Sequence, residues 1–421
     1  MSKTSSHTHK IVLTVFLIAV IVLSISLTVL LVVQARKTKQ SETTSSAAPF
    51  SSTVEESSSE EMSSEPDPTG NTVAMPADWN DNGLFSAYYE EAYARMQSMT
   101  QEEKVGQMLL ARCPETNGAE EAEAYHLGGY VLFGRDFEGK TTEEVQDTIA
   151  SYQQASTIPM AIAVDEEGGD VVRVSSQPTL ADAPFASPQE LYQEGGLDAL
   201  ASDAAQKARL LNNLGININL APVADTTTNP DAYMYSRTLG MSGAENAPGI
   251  AAMVSGAKGS HVASTLKHFP GYGDNVNTHT GIAVDERSYE EFQNNDFLPF
   301  EAGIDAEAEC VLVSHNIVNC MDATKPASIS PEVHAVLREE LGFTGIVMTD
   351  DMSMDAISLY TGEQSPDVLA VLAGNDLIIT TDYASSYNTI LDALENGDID
   401  EELVDHAVWK VLSWKMYNEM L

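Results

Sequence analysis

Cysteine and basic side chains are scarce in this 421-residue chain, and histidines at metal-ligand spacing are missing from it. Each shortage closes off a class of function. The three cysteines, Cys113, Cys310 and Cys320, are odd in number and form no CxxC pair, so neither a disulfide framework nor a zinc site is suggested. Cys113 and Cys310 lie in apolar runs and read as small core residues. Lys and Arg total 21 against 63 acids, a formal charge of −42. That balance leaves no room for a broad positive face and excludes binding of nucleic acid or anionic lipid through a basic surface. There is no G-x-S-x-G elbow and no phosphate-cradling P-loop. No metal and no cofactor are expected.

What is present begins with an apolar run. After a short tail (1–10), residues 11–33 carry no charge and are long enough to cross a bilayer core as a helix, flanked by Lys10 and by Arg36, Lys37 and Lys39. A cleaved signal peptide is the competing reading, with Val33-Gln34-Ala35 a passable cleavage site. The run exceeds a usual signal core, which favours an uncleaved single-pass anchor with the bulk of the chain outside the cell. Residues 34–77 are Ser, Thr, Glu and Pro with few large apolar side chains, the composition of an extended, self-repelling stalk.

From residue 78 to 421 the composition is globular. Residues 84–108 read as helical, with Thr100 and Glu103 in a capping-box pattern. Eight short apolar runs follow, at 108–112, 129–133, 160–165, 216–222, 262–268, 310–315, 345–350 and 376–381. Helix-length segments separate them, such as 141–155, 198–214, 243–260, 288–306, 331–341 and 384–396. Strands apolar throughout, each followed by a helix, indicate a parallel sheet, and eight such units indicate an α/β fold of the closed (β/α)8 type. A doubly wound open sheet is the alternative. Residues 401–421 read as a closing amphipathic helix in which Trp409, Trp414 and Tyr417 are packing residues.

Polar residues stand at corresponding ends of these strands: Asp165, Lys267, His268, His315 and Asp350. In a barrel those ends converge on one face, where active sites are built, although any one acid there could equally cap a helix. The stretch 264–281 stands out because Pro270, Gly271 and Gly273 force a loop that carries Asp274, Asn277 and His279. A carboxylate at Asp350 facing a loop His suits displacement at an anomeric carbon. One group attacks or stabilises an oxocarbenium-like centre while another protonates the leaving oxygen.

Four stretches carry a resemblance. Lys267-His268-Phe269-Pro270-Gly271, Asn277-Thr278-His279, Val164-Asp165-Glu166-Glu167-Gly168-Gly169 and Thr349-Asp350-Asp351-Met352-Ser353-Met354 resemble glycoside hydrolase family 3, and within it the bacterial β-N-acetylhexosaminidase branch. The likeness runs from about Met99 to the C-terminus. It implies a retaining mechanism on a barrel, with Asp350 as nucleophile and His279 as loop-borne general acid/base. It also implies sugar-hydroxyl contacts from Asp165, Lys267, His268 and Arg237. The chain ends after the barrel, which matches the branch whose acid/base lies on a barrel loop.

Three departures accompany the resemblance. The branch has Asp two residues before its catalytic His, where this chain has Asn277. Asn orients an imidazole without stabilising the imidazolium by a full charge, so slow turnover or a substitute carboxylate such as Asp274 is expected. The loop is one residue shorter, with Tyr272 where His is common. Asp170 stands where Gly-Gly-Arg has its Arg. The expected partner is a glycan ending in β-linked GlcNAc. A β-glucosidase or β-xylosidase, a phosphorylase, and a weakly active sugar-binding barrel are the alternatives.

Overall fold

The computed structural model describes residues 74–421 apart from 276, 279, 280, 361 and 363. The expected anchor (11–33) and nearly all of the expected stalk therefore lie outside the described residues, and so does His279. Among the described residues no helix is long and apolar enough to cross a membrane.

Eight strands form one parallel sheet. They are β1 (Leu109–Arg112), β2 (Gly129–Leu132), β3 (Ala161–Val164), β4 (Ile218–Asn219), β5 (Ala263–Phe269), β6 (Cys310–Val313), β7 (Ile346–Thr349) and β8 (Ile378–Thr380). Each pairs in parallel with its chain neighbour from β1 to β7, and β8 pairs with β1 through Leu109 opposite Ile378. The remaining seam closes where Leu377 N–H donates to Val347 O (3.1 Å) and Thr349 N–H donates to Leu377 O (3.2 Å). The strands are largely apolar on both faces, with polar residues such as Asn219, Lys267 and His268 gathered towards their C-terminal ends. Side chains from the inner face fill the barrel while the outer face packs on helices. The expected runs all become strands, and the closed ring replaces the open-sheet alternative.

Two helical expectations are corrected. The single helix over 84–108 is two, Tyr89–Met96 and Gln101–Gln107. The capping box is itself the reason. Thr100 Oγ1 accepts from Glu103 N–H (3.2 Å), while Glu103 Oε2 accepts from Thr100 N–H (2.9 Å), so Thr100 starts a new helix. Helix Pro188–Leu214 reaches ten residues further back than expected, across a kink at Gly196, whose φ of 61° is open to glycine.

The last helix, Glu401–Tyr417, buries Trp409 and Trp414 completely and closes on the first helices, with Trp409 Nε1–H donating to Tyr89 O at 3.0 Å. Trp79 packs edge-on against Tyr93 and His406. All three cysteines are free, with Cys113 and Cys310 buried and Cys320 exposed. A small parallel pair, Val284–Asp285 with Ile317–Val318, ties the loop after β5 to the loop after β6.

Candidate active site

The C-terminal ends of the strands surround a cavity of about 430 Å³. Of the residues expected there, Asp165, Arg237, Lys267, His268 and Asp350 line it together. Consecutive residues of a strand normally face opposite ways. Lys267 and His268 both reach the cavity because the pairing of β5 with β6 slips between Lys267 and Phe269. The glycines that follow are required by close approach. A Cβ on Gly271 (φ 126°) would sit 2.5 Å from an Asp296 carboxylate oxygen, and one on Gly273 (φ 56°) would sit 2.7 Å from the Arg287 guanidinium carbon.

Lys267 is buried, and its Nζ lies 2.6 Å from both Asp165 Oδ1 and Glu167 Oε1. Glu167 in turn takes a two-pronged bond from Arg237, Nε to Oε2 at 2.9 Å and Nη2 to Oε1 at 2.7 Å. Burial alone would raise the Glu167 carboxyl. Lys267 and Arg237 outweigh it and hold the group at about 2. Burial likewise opposes charge on Lys267, and Asp165 and Glu167 reverse that and raise its pKa. Glu167 is thus held as the carboxylate between two cations, Lys267 and Arg237. The neighbouring Glu166 plays a different part, accepting from the backbone N–H groups of Arg173 (2.9 Å) and Val174 (2.8 Å) and so shaping the loop after β3.

His268 is oriented by Asp225, a buried acid beyond β4. Asp225 Oδ2 lies 2.7 Å from His268 Nδ1 and accepts from His268 N–H (3.1 Å), while Oδ1 accepts from Tyr272 N–H (2.6 Å). A carboxylate at Nδ1 sets that nitrogen as the protonated one and leaves Nε2 as the second polar atom of the ring.

Asp350 follows β7 directly. Its backbone N–H donates to Val313 O (3.0 Å), and its Oδ1 accepts from Asp351 N–H (2.8 Å). Asp351 serves the backbone, taking Ser353 N–H (2.9 Å) and Ser353 Oγ–H (2.8 Å) on Oδ1 and the Thr381 hydroxyl (2.8 Å) on Oδ2. His315 does not line the cavity. It is fully buried, with Nδ1 2.7 Å from Ser328 Oγ and Nε2 3.0 Å from Asp351 O, and so supports the turn beneath Asp350.

The loop expected to carry the acid/base is pinned by Tyr272. Its hydroxyl accepts from Thr278 N–H (2.6 Å) and donates to Thr278 Oγ1 (2.9 Å). Burial, with the Asp350 charge adding to it, pushes the Tyr272 phenol up to about 12, so the hydroxyl stays neutral and able to donate. Asn277 is half-buried beside this anchor. Asp274 is tied to the loop after β4, accepting from Thr227 Oγ1 (2.6 Å) and Asn229 Nδ2 (3.3 Å).

Sequence reasoning missed Glu167 and Asp225. Glu167 stands in the motif 164–169, where the sequence alone assigns it no role. Asp225 lies three residues beyond the end of the fourth apolar run (216–222), so the strand-end rule reaches it only when that run is extended.

The chain matches the model of the glycosyl hydrolase family 3 N terminal domain over residues 100–414. It is 36% identical over 268 residues to a beta-hexosaminidase of Stenotrophomonas maltophilia (strain R551-3), covering 60% of this chain and 76% of that one. Among solved structures it is similar to a glycoside hydrolase family 3 beta-N-acetylglucosaminidase from Paenibacillus sp. str. FPU-7 (TM-score 0.71, 28% identity, 77% of this chain), of which it spans 63%. It is similar also to the beta-N-acetylhexosaminidase from Beutenbergia cavernae DSM 12333 (TM-score 0.67, 26% identity, 76% of this chain and 99% of that one).

Proposed function

The chain belongs to glycosyl hydrolase family 3 and is a glycoside hydrolase, and from that premise we propose that it is an exo-acting, retaining β-N-acetylglucosaminidase. It releases terminal β-linked GlcNAc from cell-wall fragments or other glycans. In this reading Asp350 attacks the anomeric carbon and forms a glycosyl ester. The imidazolium of His279 gives its proton to the departing oxygen, then takes one from the water that cleaves the ester. Lys267, His268, Arg237 and Asp165 hold the hydroxyls of the sugar being transferred. Asp225 positions His268, and Glu167 keeps Lys267 and Arg237 in register.

The observation that carries the reading is that Asp350 shares one sugar-sized cavity with Asp165, Lys267, His268 and Arg237, residues from β3, β5, β7 and the loop after β4. The names of the similar proteins point to the acetamido sugar over glucose or xylose. The decisive assay is release of p-nitrophenol from the β-GlcNAc glycoside, run beside the β-glucoside and β-xyloside and an Asp350→Ala control. Preference for the β-glucoside or β-xyloside moves the substrate to those sugars. Activity that survives in the control removes Asp350 from the mechanism, and no turnover of any glycoside leaves a sugar-binding barrel. The apolar run 11–33 further supports a single-pass anchor with the barrel outside the cell. Sedimentation of the intact protein with membranes, and its release on deletion of residues 1–36, tests that placement.

A further inference from the structure

We propose that Tyr233, in the loop after β4, is the platform on which the leaving group stacks, so that the enzyme favours leaving groups with a flat apolar face, a pyranose ring above all. That role rests on the glycosidase reading above and specifies the chemistry of what the transferred sugar leaves behind. Tyr233 lines the same cavity as Asp350, Lys267 and Arg237. It is 40% exposed, and its hydroxyl makes no hydrogen bond among the described residues. A ring of that size is ordinarily buried, with a partner at its polar end. Tyr233 has neither, and the fold does not need it for packing. Met234, fully buried with Val223 and Tyr272, anchors the turn to the core and leaves its neighbour to the cavity.

Two features make this ring a firm surface. It leans on Tyr272, with ring centroids 6.0 Å apart and planes at 48°. Tyr272 is itself buried and fixed at both ends, its N–H by Asp225 and its hydroxyl by Thr278. The loop that carries Tyr233 is tied down as well. Ala232 N–H donates to Asn229 O (3.0 Å) and Tyr235 N–H to Ala232 O (3.1 Å), while Thr227 and Asn229 hold Asp274 of the loop after β5. A ring already ordered loses little freedom when a ligand covers it, which makes it the better stacking surface.

What Tyr272 touches assigns the side of the cavity. Its hydroxyl holds Thr278, the residue before His279, and the Asp350 charge reaches the same phenol. Tyr233 therefore stands at the foot of the loop from which the proposed proton donor acts. In that reading the leaving oxygen lies between the donor and the transferred sugar. Charged groups at Asp165, Lys267 and Arg237 suit the hydroxyls of the transferred sugar. An aromatic face instead suits the side of a pyranose that presents axial C–H bonds.

The test compares two substrates that share the transferred sugar. One is a β-linked disaccharide of two GlcNAc units, whose leaving group is a pyranose; the other is β-GlcNAc fluoride, whose leaving group has no ring. In Tyr233→Ala the ratio of kcat/KM, disaccharide over fluoride, should fall by about 5- to 50-fold, the range of one aromatic contact and the surface it buries. In Tyr233→Phe and Tyr233→Trp, which keep an aromatic face, the ratio should stay within about threefold of the parent. An unchanged ratio in Tyr233→Ala overturns the proposal, whether both rates are kept or both fall together, because the ring then serves the transferred sugar or the fold. A loss in Tyr233→Phe equal to that in Tyr233→Ala overturns it too, since the contact is then the hydroxyl. If the parent cleaves neither substrate the glycosidase reading fails, and calorimetric titration with the disaccharide and with GlcNAc decides the platform by binding alone. The disaccharide should then bind more tightly than GlcNAc and lose that advantage in Tyr233→Ala; equal affinities in the parent, or an advantage kept in the variant, overturn the proposal.

Discussion

Replacing Glu167 by Gln keeps the volume of the side chain and removes its charge from between two buried cations. A carboxyl held at about 2 against an ordinary 4.5 corresponds to roughly 3 kcal/mol of preference for its charged form. Breaking one partner out of a buried ion pair costs about 3–5 kcal/mol by a separate route, because the remaining charge is stranded. Asp165 stays on Lys267 in the variant, so the lower end applies: a loss of about 3 kcal/mol at pH 7. Urea unfolding of parent and variant measures it. The sign with pH follows from the lowered native value. The contribution is complete above pH 4.5 and fades as pH falls towards 2, so the gap between the two proteins closes over that interval. A variant within about 1 kcal/mol of the parent at pH 7 refutes the claim that this pair organises the site.

Asp225→Asn removes the charge behind His268 and should lower kcat/KM on the aryl β-GlcNAc glycoside by roughly 10- to 100-fold; an unchanged value means His268 is held by other groups. Asn277→Asp places a full charge two residues before His279 and should raise kcat about tenfold or more, whereas no gain shows that Asn suffices. Lys415, fully buried with its Nζ donating to Gln107 Oε1 (2.8 Å) and Gly128 O (3.0 Å), is pushed down to about 7 by burial. The native state then binds fewer protons than the unfolded chain between pH 7 and 10.5, and stability rises with pH across that range. Lys415→Met should flatten that rise in thermal melts; a variant whose stability still climbs between pH 7 and 10.5 as the parent's does contradicts it.

Much of this was legible in the sequence, for a physical reason. A strand buried on both faces must be apolar throughout, so each barrel strand announces itself as a run such as 160–165 or 310–315 and ends where a polar residue meets the mouth. That rule found Asp165, Lys267, His268 and Asp350. It also selected His315, which is a strand-end residue turned inward to support Asp351, because position on a strand does not tell a lining side chain from a bracing one. Glu167 and Asp225 act through their neighbours, and the pairings Glu167–Arg237 and Asp225–His268 span 70 and 43 positions. No local pattern encodes such contacts. The split of 84–108 was encoded, since the capping box marks a start that a continuous helix does not need. The role of Asp274 was not, because Thr227 and Asn229 come to it from another strand end.

The proposed catalysis requires that Asp350 be the group that bonds to the sugar. A 5-fluoro β-GlcNAc fluoride slows the second half of the reaction and traps the glycosyl-enzyme. Proteolysis and mass spectrometry then locate the label. One sugar is expected on the peptide containing Asp350 and none on the Asp350→Ala protein; label on Asp165, Asp351 or any other carboxylate contradicts a nucleophilic Asp350.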